Sequence, residues 1–127
     1  MKIFLLCPRS FGANTYLLVS GSSALAVDPC VTVGAISKAL DEAEARLEGI
    51  LLTHGHFDHT VSADKLREIF FVPVCIHESD AEMLTDGYKN AYSVFFGGTW
   101  EGTEADVLIK DGDKIEFFDE EIEVLHT

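Results

Sequence analysis

A histidine-rich segment with one aspartate is the part of this sequence best suited to chemistry. The segment Thr53-His54-Gly55-His56-Phe57-Asp58-His59 contains three of the five histidines of the chain and follows the apolar run Ile50-Leu51-Leu52. Neutral imidazole and carboxylate are ligands that suit Zn²⁺ and related divalent cations. The sequence therefore indicates a metal site that begins directly after a buried strand.

The spacing within this segment divides its ligands between two cations. Side chains alternate along an extended backbone, so His54 and His56 can reach one ion together. Asp58 and His59 come after the next alternation and can address a second ion roughly 3.5–4 Å from the first. Gly55 allows the backbone between the first two ligands to turn tightly. A solvated polar loop is the alternative interpretation of the same residues.

The remaining histidines and the three cysteines are weaker candidates for the site. His77 and His126 are isolated, each at the end of an apolar stretch, and we interpret both as structural residues. Cys7 and Cys75 lie in apolar strand contexts, where a buried and unreactive thiol is the common case. Cys30 follows a predicted strand end and is the cysteine that could approach the site. An odd number of cysteines without a Cys-x-x-Cys pair favours reduced thiols over a disulfide framework.

Strands and helices must alternate around this segment to position it. Apolar and β-branched runs predict strands over Lys2–Leu6, Asn14–Val19 and Ala24–Val27. Apolar residues at helical spacing predict a helix from Val33 to Leu47 that stops at Gly49. The later elements are a strand over Ile50–Leu52, a helix over Ser62–Phe70, a strand over Val72–Ile76, a short helix over Ser79–Leu84, and a hairpin of Lys114–Phe118 with Glu121–Leu125. This alternation indicates an α/β fold, whose sites usually lie at the carboxyl ends of strands.

Residues 86–105 combine aromatic side chains with glycines and predict no regular element. One interpretation is that the rings cover an edge of the core. The other is that the segment forms a lid over a substrate cleft, because long ordered loops are often functional.

Length and charge limit the class of protein. The chain has 127 residues, of which 9 are Lys or Arg and 22 are Asp or Glu, giving a formal net charge of −13. This length suits a single domain over residues 1–127. The acidic balance and the scattered basic residues argue against a nucleic-acid partner. Without a signal peptide or an apolar stretch of about 20 residues, we expect a cytoplasmic protein with no membrane contact.

The chain resembles the metallo-β-lactamase superfamily, and within it the small glyoxalase II-like hydrolases. The segment Thr53–His59 matches the metal motif of that superfamily and carries most of the resemblance. Softer matches extend over nearly the whole chain: Asn14-Thr15-Tyr16-Leu17, Ala26-Val27-Asp28-Pro29, Val72–His77 and Leu108–Asp113.

The resemblance implies a fold, a ligand set and a reaction. The fold would be the N-terminal half of a four-layer αβ/βα sandwich, with a metal pair where two sheets meet. His54 and His56 would bind the first ion, Asp58 and His59 the second, and Asp58 would also orient or deprotonate the bridging water. Asp28 would support the site from behind these ligands. The ions would be zinc, with iron or manganese possible, and a metal-held hydroxide would attack the carbonyl of a small-molecule thioester.

The resemblance also implies that part of the site lies beyond this chain. In the family, a segment like Glu123–Thr127 leads into Pro-Gly-His-Thr, whose histidine is the third ligand of the first metal. We therefore expect residues 1–127 to be an N-terminal portion, truncated before that motif, which binds metal weakly and lacks hydrolase activity alone. An uncovered apolar sheet face would promote self-association of this portion.

Three other functions remain as alternatives. A persulfide dioxygenase with a single iron keeps a similar ligand set within the superfamily. A non-catalytic binding or scaffold module could use the same fold, although such a module needs no metal ligands. A nuclease of the superfamily is disfavoured by the net charge of −13.

Overall fold

A computed structural model describes residues 1–6, 14–53, 62–86, 102, 104–117 and 120–124. The first half contains β1 (Lys2–Leu6), β2 (Thr15–Ser20), β3 (Ser23–Val27), α1 (Val33–Ala43) and β4 (Arg46–Leu52). The second half contains α2 (Ala63–Phe70), β5 (Val74–His77), a 3-10 helix (Glu78–Leu84), β6 (Val107–Ile109), β7 (Lys114–Phe117) and β8 (Glu120–Glu123). The predicted α/β class is confirmed.

A mixed sheet organises these elements. Its strand order in the described residues is β1-β2-β3-β4-β5-β6, and β7 pairs separately with β8. The strands β1, β2 and β3 form an antiparallel meander, whereas β3, β4, β5 and β6 are parallel neighbours. Parallel strands place their carboxyl ends at one edge of a sheet, which is where sites in α/β folds collect. The end of β4 at this edge leads directly to the histidine-rich segment.

Helix α1 is shorter than the helical spacing predicts. Its N-cap is Thr32, whose hydroxyl oxygen accepts the Ala35 N–H at 3.1 Å. The helix ends at Ala43, and Glu44 adopts a left-handed conformation with φ of 53°. The predicted extension to Leu47 is wrong, because Leu47 belongs to β4 and is buried there. Pairing of β4 along the whole of β3 outweighs a single apolar residue at helical spacing.

The predicted helix stop at Gly49 is also wrong, because Gly49 lies inside β4. A Cβ atom at this position would come within 3.2 Å of the Leu25 side chain. The register of β3 against β4 shifts between Ala24 and Leu25, next to this close approach. Gly49 therefore serves the packing of two strands rather than the end of a helix.

The remaining elements agree with the sequence in type and differ at their ends. The predicted hairpin near the end of the chain is confirmed as β7 and β8, which follow a turn with Gly112 at φ of 87°. Strand β6 was not among the predicted elements. Most of residues 86–105 lie outside the described part of the chain, so both interpretations of that segment stay predictions. Among the described helices, none has the length and apolar character to cross a membrane.

The two faces of the sheet differ in how they are covered. One face packs under α1 and α2, and the core there includes Leu17, Ile36, Ile50, Leu66 and Ile76. The other face, which we call the open face, carries exposed apolar side chains. These are Ile3 (64% exposed), Leu5 (53%), Tyr16 (37%) and Val107 (43%). Part of this second face, near Leu25 and Leu51, lines a groove of about 390 Å³ together with Ile115 of β7.

Candidate metal centre

The four predicted ligands His54, His56, Asp58 and His59 lie outside the described residues, so the metal site stays a prediction. The structure does describe both flanks of their segment, Thr53 and Ser62. Thr53 directly follows β4, whose last paired residue, Leu52, lies opposite Ile76 of β5. Thr53, the residue before the segment, thus lies at the carboxyl edge of the parallel strands, where α/β folds usually place their sites.

Asp28 fixes the first flank of the segment. The Thr53 backbone N–H donates to Asp28 Oδ1 at 2.7 Å, and the Thr53 hydroxyl donates to Asp28 Oδ2. Asp28 itself is held at the end of β3, because its N–H donates to the Leu51 carbonyl oxygen at 2.9 Å. Its side chain is buried, with a residue exposure of 5%. A hydrogen-bonded carboxylate of this kind fixes the backbone immediately before His54.

A turn after β3 brings the Asp28 carboxylate into this position. Asp28 has φ of 51°, in the left-handed region that aspartate tolerates better than most residues. Pro29 follows and is fully buried. The Thr15 hydroxyl, also fully buried, donates to the Asp28 carbonyl oxygen at 2.8 Å and accepts the Cys30 N–H at 2.9 Å. One threonine side chain of β2 thus satisfies backbone groups on both sides of the proline.

The same turn fixes the second flank of the segment. The Ser62 N–H donates to the Pro29 carbonyl oxygen at 3.0 Å, and the Ser62 hydroxyl donates to the Val31 carbonyl oxygen at 2.5 Å. Ser62 occupies the N-cap position of α2, but its side chain makes no capping hydrogen bond there. The turn of residues 28–31 therefore contacts the chain both before and after the predicted ligands.

His77 has a structural role in the described residues, as the sequence indicated. It ends β5, and its Nδ1 atom accepts the Ser79 N–H at 3.0 Å, which caps the 3-10 helix. His126 lies outside the described part of the chain. In the residues that the structure describes, no three His, Cys, Asp or Glu side chains are grouped so that they could hold a cation.

The cysteines differ in their surroundings. Cys75 of β5 is half-buried, and burial followed by the nearby Asp106 carboxylate raises the pKa of its thiol. This agrees with the expectation of an unreactive thiol in a strand. Cys30 is half-buried in the turn after β3, where its backbone N–H donates to the Thr15 hydroxyl oxygen. Cys7 lies outside the described residues.

Two contributors to this edge were missed from the sequence. The sequence indicates Thr15 only as part of a strand, although a hydroxyl on an inward-facing strand position needs a hydrogen-bond partner. It indicates Ser62 only as the start of a helix. The signal in each case was a small hydroxyl residue at a buried or terminal position, which does not reveal its partner. Donor chemistry in residues 54–59 and a fixed backbone at Thr53 together fit a metal centre at this edge.

Comparison with known proteins identifies relatives of this chain. The sequence profile described as Metallo-beta-lactamase superfamily matches residues 9–127. An uncharacterised protein of Mycobacterium leprae is 34% identical over 122 residues, covering 90% of this chain and 56% of that protein. The probable metallo-hydrolase YqgX of Bacillus subtilis is 31% identical over 115 residues, covering 91% of this chain and 54% of that protein.

A solved structure agrees with these sequence matches. The BLEG-1 B3 metallo-beta-lactamase superposes with a TM-score of 0.89 at 26% identity, covering 99% of this chain and 61% of that one. The chain spans about half the length of the curated relatives it matches.

Proposed function

The chain belongs to the metallo-beta-lactamase superfamily, and on that premise we propose that its protein is a metal-dependent hydrolase of small-molecule thioesters. The superfamily includes many hydrolases that use metal ions, typically zinc, and a relative is named a probable metallo-hydrolase. The thioester, and the likeness to glyoxalase II, rest on the sequence resemblance. The observation that carries the proposal is the attachment of Thr53, next to the first histidine, to the buried Asp28 carboxylate.

Each predicted ligand has a separate task in this proposal. His54 and His56 would hold one cation, and Asp58 and His59 a second. When bound, two such cations supply Lewis acidity, which activates water near neutral pH and stabilises negative charge on a carbonyl oxygen. Asp58 would orient the attacking water and accept its proton. Asp28 would keep the backbone before His54 in place, so that the first imidazole enters the site from a fixed position.

The proposed setting is the cytoplasm, with a small molecule rather than a polymer as substrate. The net charge of −13 opposes binding to nucleic acid or to an anionic membrane surface. It also agrees with the absence of a basic cluster in the sequence.

Metal content and thioester hydrolysis of the full-length protein test this function. We expect two equivalents of zinc by elemental analysis and release of thiol from a panel of hydroxyacyl thioesters. His56→Ala should lower both the metal content and the rate of thiol release. His77→Asn is the matched control, because asparagine can still accept the Ser79 N–H that His77 accepts now. Equal loss in both variants would contradict the ligand assignment.

Other results of the same measurements favour the alternatives. One equivalent of iron, with oxygen uptake on a persulfide and no thioester hydrolysis, would replace the hydrolase with a dioxygenase. A full-length protein that is purified without metal and binds none on titration would favour a non-catalytic module.

A further inference from the structure

We propose that the turn of residues 28–31 is a two-ended anchor for the predicted metal segment, and that Ser62 is a positioning residue of the site. The inference rests on the proposed function for its chemistry, but its geometry lies wholly in described residues. Thr53 and Ser62 flank eight residues, 54–61, which include all four predicted ligands. Both flanking residues bond to the same turn.

The anchor has two hydrogen bonds at each end of the segment. At the first end, the Asp28 carboxylate accepts the backbone N–H and the hydroxyl of Thr53. At the second end, the carbonyl oxygens of Pro29 and Val31 accept the backbone N–H and the hydroxyl of Ser62. At each end, the backbone N–H and the side-chain hydroxyl of one residue, Thr53 or Ser62, donate hydrogen bonds to the turn.

The Ser62 hydroxyl is used in a way that a helix start does not require. A serine at an N-cap usually accepts an N–H from the first turn of its helix. In α2 the Ser62 side chain makes no such bond, and its hydroxyl points instead to the Val31 carbonyl oxygen. The side chain therefore connects α2 to the turn rather than stabilising the end of α2.

The turn is suited to this task because it is itself fixed. The buried Thr15 side chain bonds to the carbonyl of Asp28 and to the N–H of Cys30. Pro29, between them, is fully buried and has a restricted φ. A rigid turn that bonds both flanks sets the distance that the eight residues must span. The segment then loses less conformational freedom when its ligands converge on a cation, so binding is tighter.

Metal affinity of the full-length protein tests the role of Ser62. Zn²⁺ affinity is measured by competition with a chelating dye, and the absorption spectrum of bound Co²⁺ reports ligand geometry. We expect Ser62→Ala to weaken Zn²⁺ binding by about tenfold or more, the usual effect of losing a group that orients a ligand, and to change the Co²⁺ spectrum. Ser62→Thr, which keeps the hydroxyl, should restore both.

A matched serine far from the site provides the control. Ser23 begins β3 at the opposite edge of the sheet and is buried, with its hydroxyl 3.3 Å from Glu48 Oε1. Ser23→Ala should leave Zn²⁺ affinity and the Co²⁺ spectrum unchanged. If Ser62→Ala and Ser23→Ala changed the affinity equally, the loss would reflect general stability, and the positioning role would be wrong.

Amide hydrogen exchange of the metal-free protein tests the anchor independently of the proposed function. The two ends share one turn, so Ser62→Ala should speed exchange at the Thr53 amide as well as at residue 62. Faster exchange at residue 62 alone would show two independent contacts and would overturn the anchor. If the wild-type protein bound no metal, the proposed function would fail, and the exchange result would still decide whether the anchor exists.

Discussion

Asp28 and Thr53 directly follow the adjacent parallel strands β3 and β4. The backbone N–H and the hydroxyl of Thr53 both donate to the Asp28 carboxylate. The carboxylate is buried, and the backbone of Asp28 is in a left-handed conformation that points its side chain toward the neighbouring strand end. The residue that precedes the first predicted ligand is thus fixed by a residue 25 positions earlier in the chain. Stability and metal binding should therefore respond together to a change at position 28.

We expect Asp28→Ala to lower the free energy of unfolding by about 3 kcal/mol, because a charged hydrogen-bond acceptor and a residue tolerant of left-handed backbone are both lost. Asp28→Asn should cost less, since asparagine adopts this conformation readily and its amide oxygen can still accept the Thr53 N–H. Urea denaturation gives the values. Asp41→Ala, at an exposed position of α1, is the control and should change stability little. An Asp28→Ala protein as stable as the wild type would contradict this account.

Arg67 should stabilise the protein at the other edge of the sheet. Its side chain is 17% exposed, and its Nη2 donates to the Glu104 carbonyl oxygen at 2.7 Å. Its Nε lies 3.1 Å from Asp106 Oδ2, close enough for an ion pair although the N–H is not aligned as a hydrogen bond. Asp106 Oδ2 in turn accepts the Val74 N–H at 2.8 Å.

We expect Arg67→Ala to lower the free energy of unfolding by about 2 kcal/mol, because it removes the positive partner of the half-buried Asp106 carboxylate and the donor to the Glu104 carbonyl oxygen. Arg46→Ala provides the comparison. The Arg46 side chain is 83% exposed, and it pairs with Glu48 at 3.1 Å; pairs of this kind contribute below about 1 kcal/mol. Equal effects of the two substitutions in chemical denaturation would show that burial does not distinguish these pairs.

Cys75 should make stability depend on alkaline pH. Burial, and then the Asp106 charge, raise the pKa of its thiol in the folded protein. The folded state therefore binds this proton more tightly than the unfolded chain, whose cysteines have pKa values of about 8.5. The resulting stabilisation is complete below the unfolded pKa and is lost as pH rises through that value toward the folded pKa.

The expected outcome is a steeper fall in the free energy of unfolding between neutral and alkaline pH for the wild type than for Cys75→Ala. Denaturation series at several pH values measure both slopes. The variant keeps Cys7 and Cys30, so their contribution is common to both proteins. Identical slopes would contradict the raised pKa of the Cys75 thiol.

The open face should cause the 127-residue chain, expressed by itself, to self-associate. Ile3, Leu5 and Tyr16 are exposed on neighbouring strands of this face at 64%, 53% and 37%, and adjoining exposed apolar side chains of this kind often form an interface. Light scattering coupled to size exclusion should show mass rising with concentration. Replacing Ile3 and Leu5 with Lys should give a monomer, whereas Ile69→Lys, at an exposed position of α2 away from this face, should not. A wild-type monomer at high concentration would contradict this expectation.

Local sequence patterns predict most elements of the fold, because the length and apolar character of a run usually favour one kind of element. The apolar runs that became β3, β4 and β5 are too short for helices and too apolar for loops. The errors at Leu47 and Gly49 arose where a tertiary contact overrides local preference. Leu47 has the spacing of an apolar helix face. The Arg46 N–H, however, donates to the Ser22 carbonyl oxygen, so the chain pairs with the sheet from Arg46 onward.

The sequence predicts the types of the metal ligands in the candidate site. It does not predict the hydrogen bonds that hold the backbone on either side of them. Imidazoles and a carboxylate in close succession indicate metal chemistry without knowledge of the fold. Thr15 meets Asp28 because β2 pairs antiparallel with β3, with Tyr16 opposite Val27. Ser62 meets the turn after β3 because β3 and β4 are parallel neighbours that end at the same edge. The residues directly around Thr15 and Ser62 do not reveal these partners. The resemblance had indicated Asp28, and the structure adds the atoms that it contacts.

The outer position of β1 has a consequence for local unfolding of the protein. This strand pairs with β2 alone in the described sheet, and its side chains are exposed along most of its length, with Leu6 alone packed against the core. Few buried contacts resist its detachment, so it should open at a low free energy while β3 and β4 stay closed. Fusions or labels at the amino terminus would then perturb the outer strand β1 and leave unchanged the ends of β3 and β4, next to the metal segment.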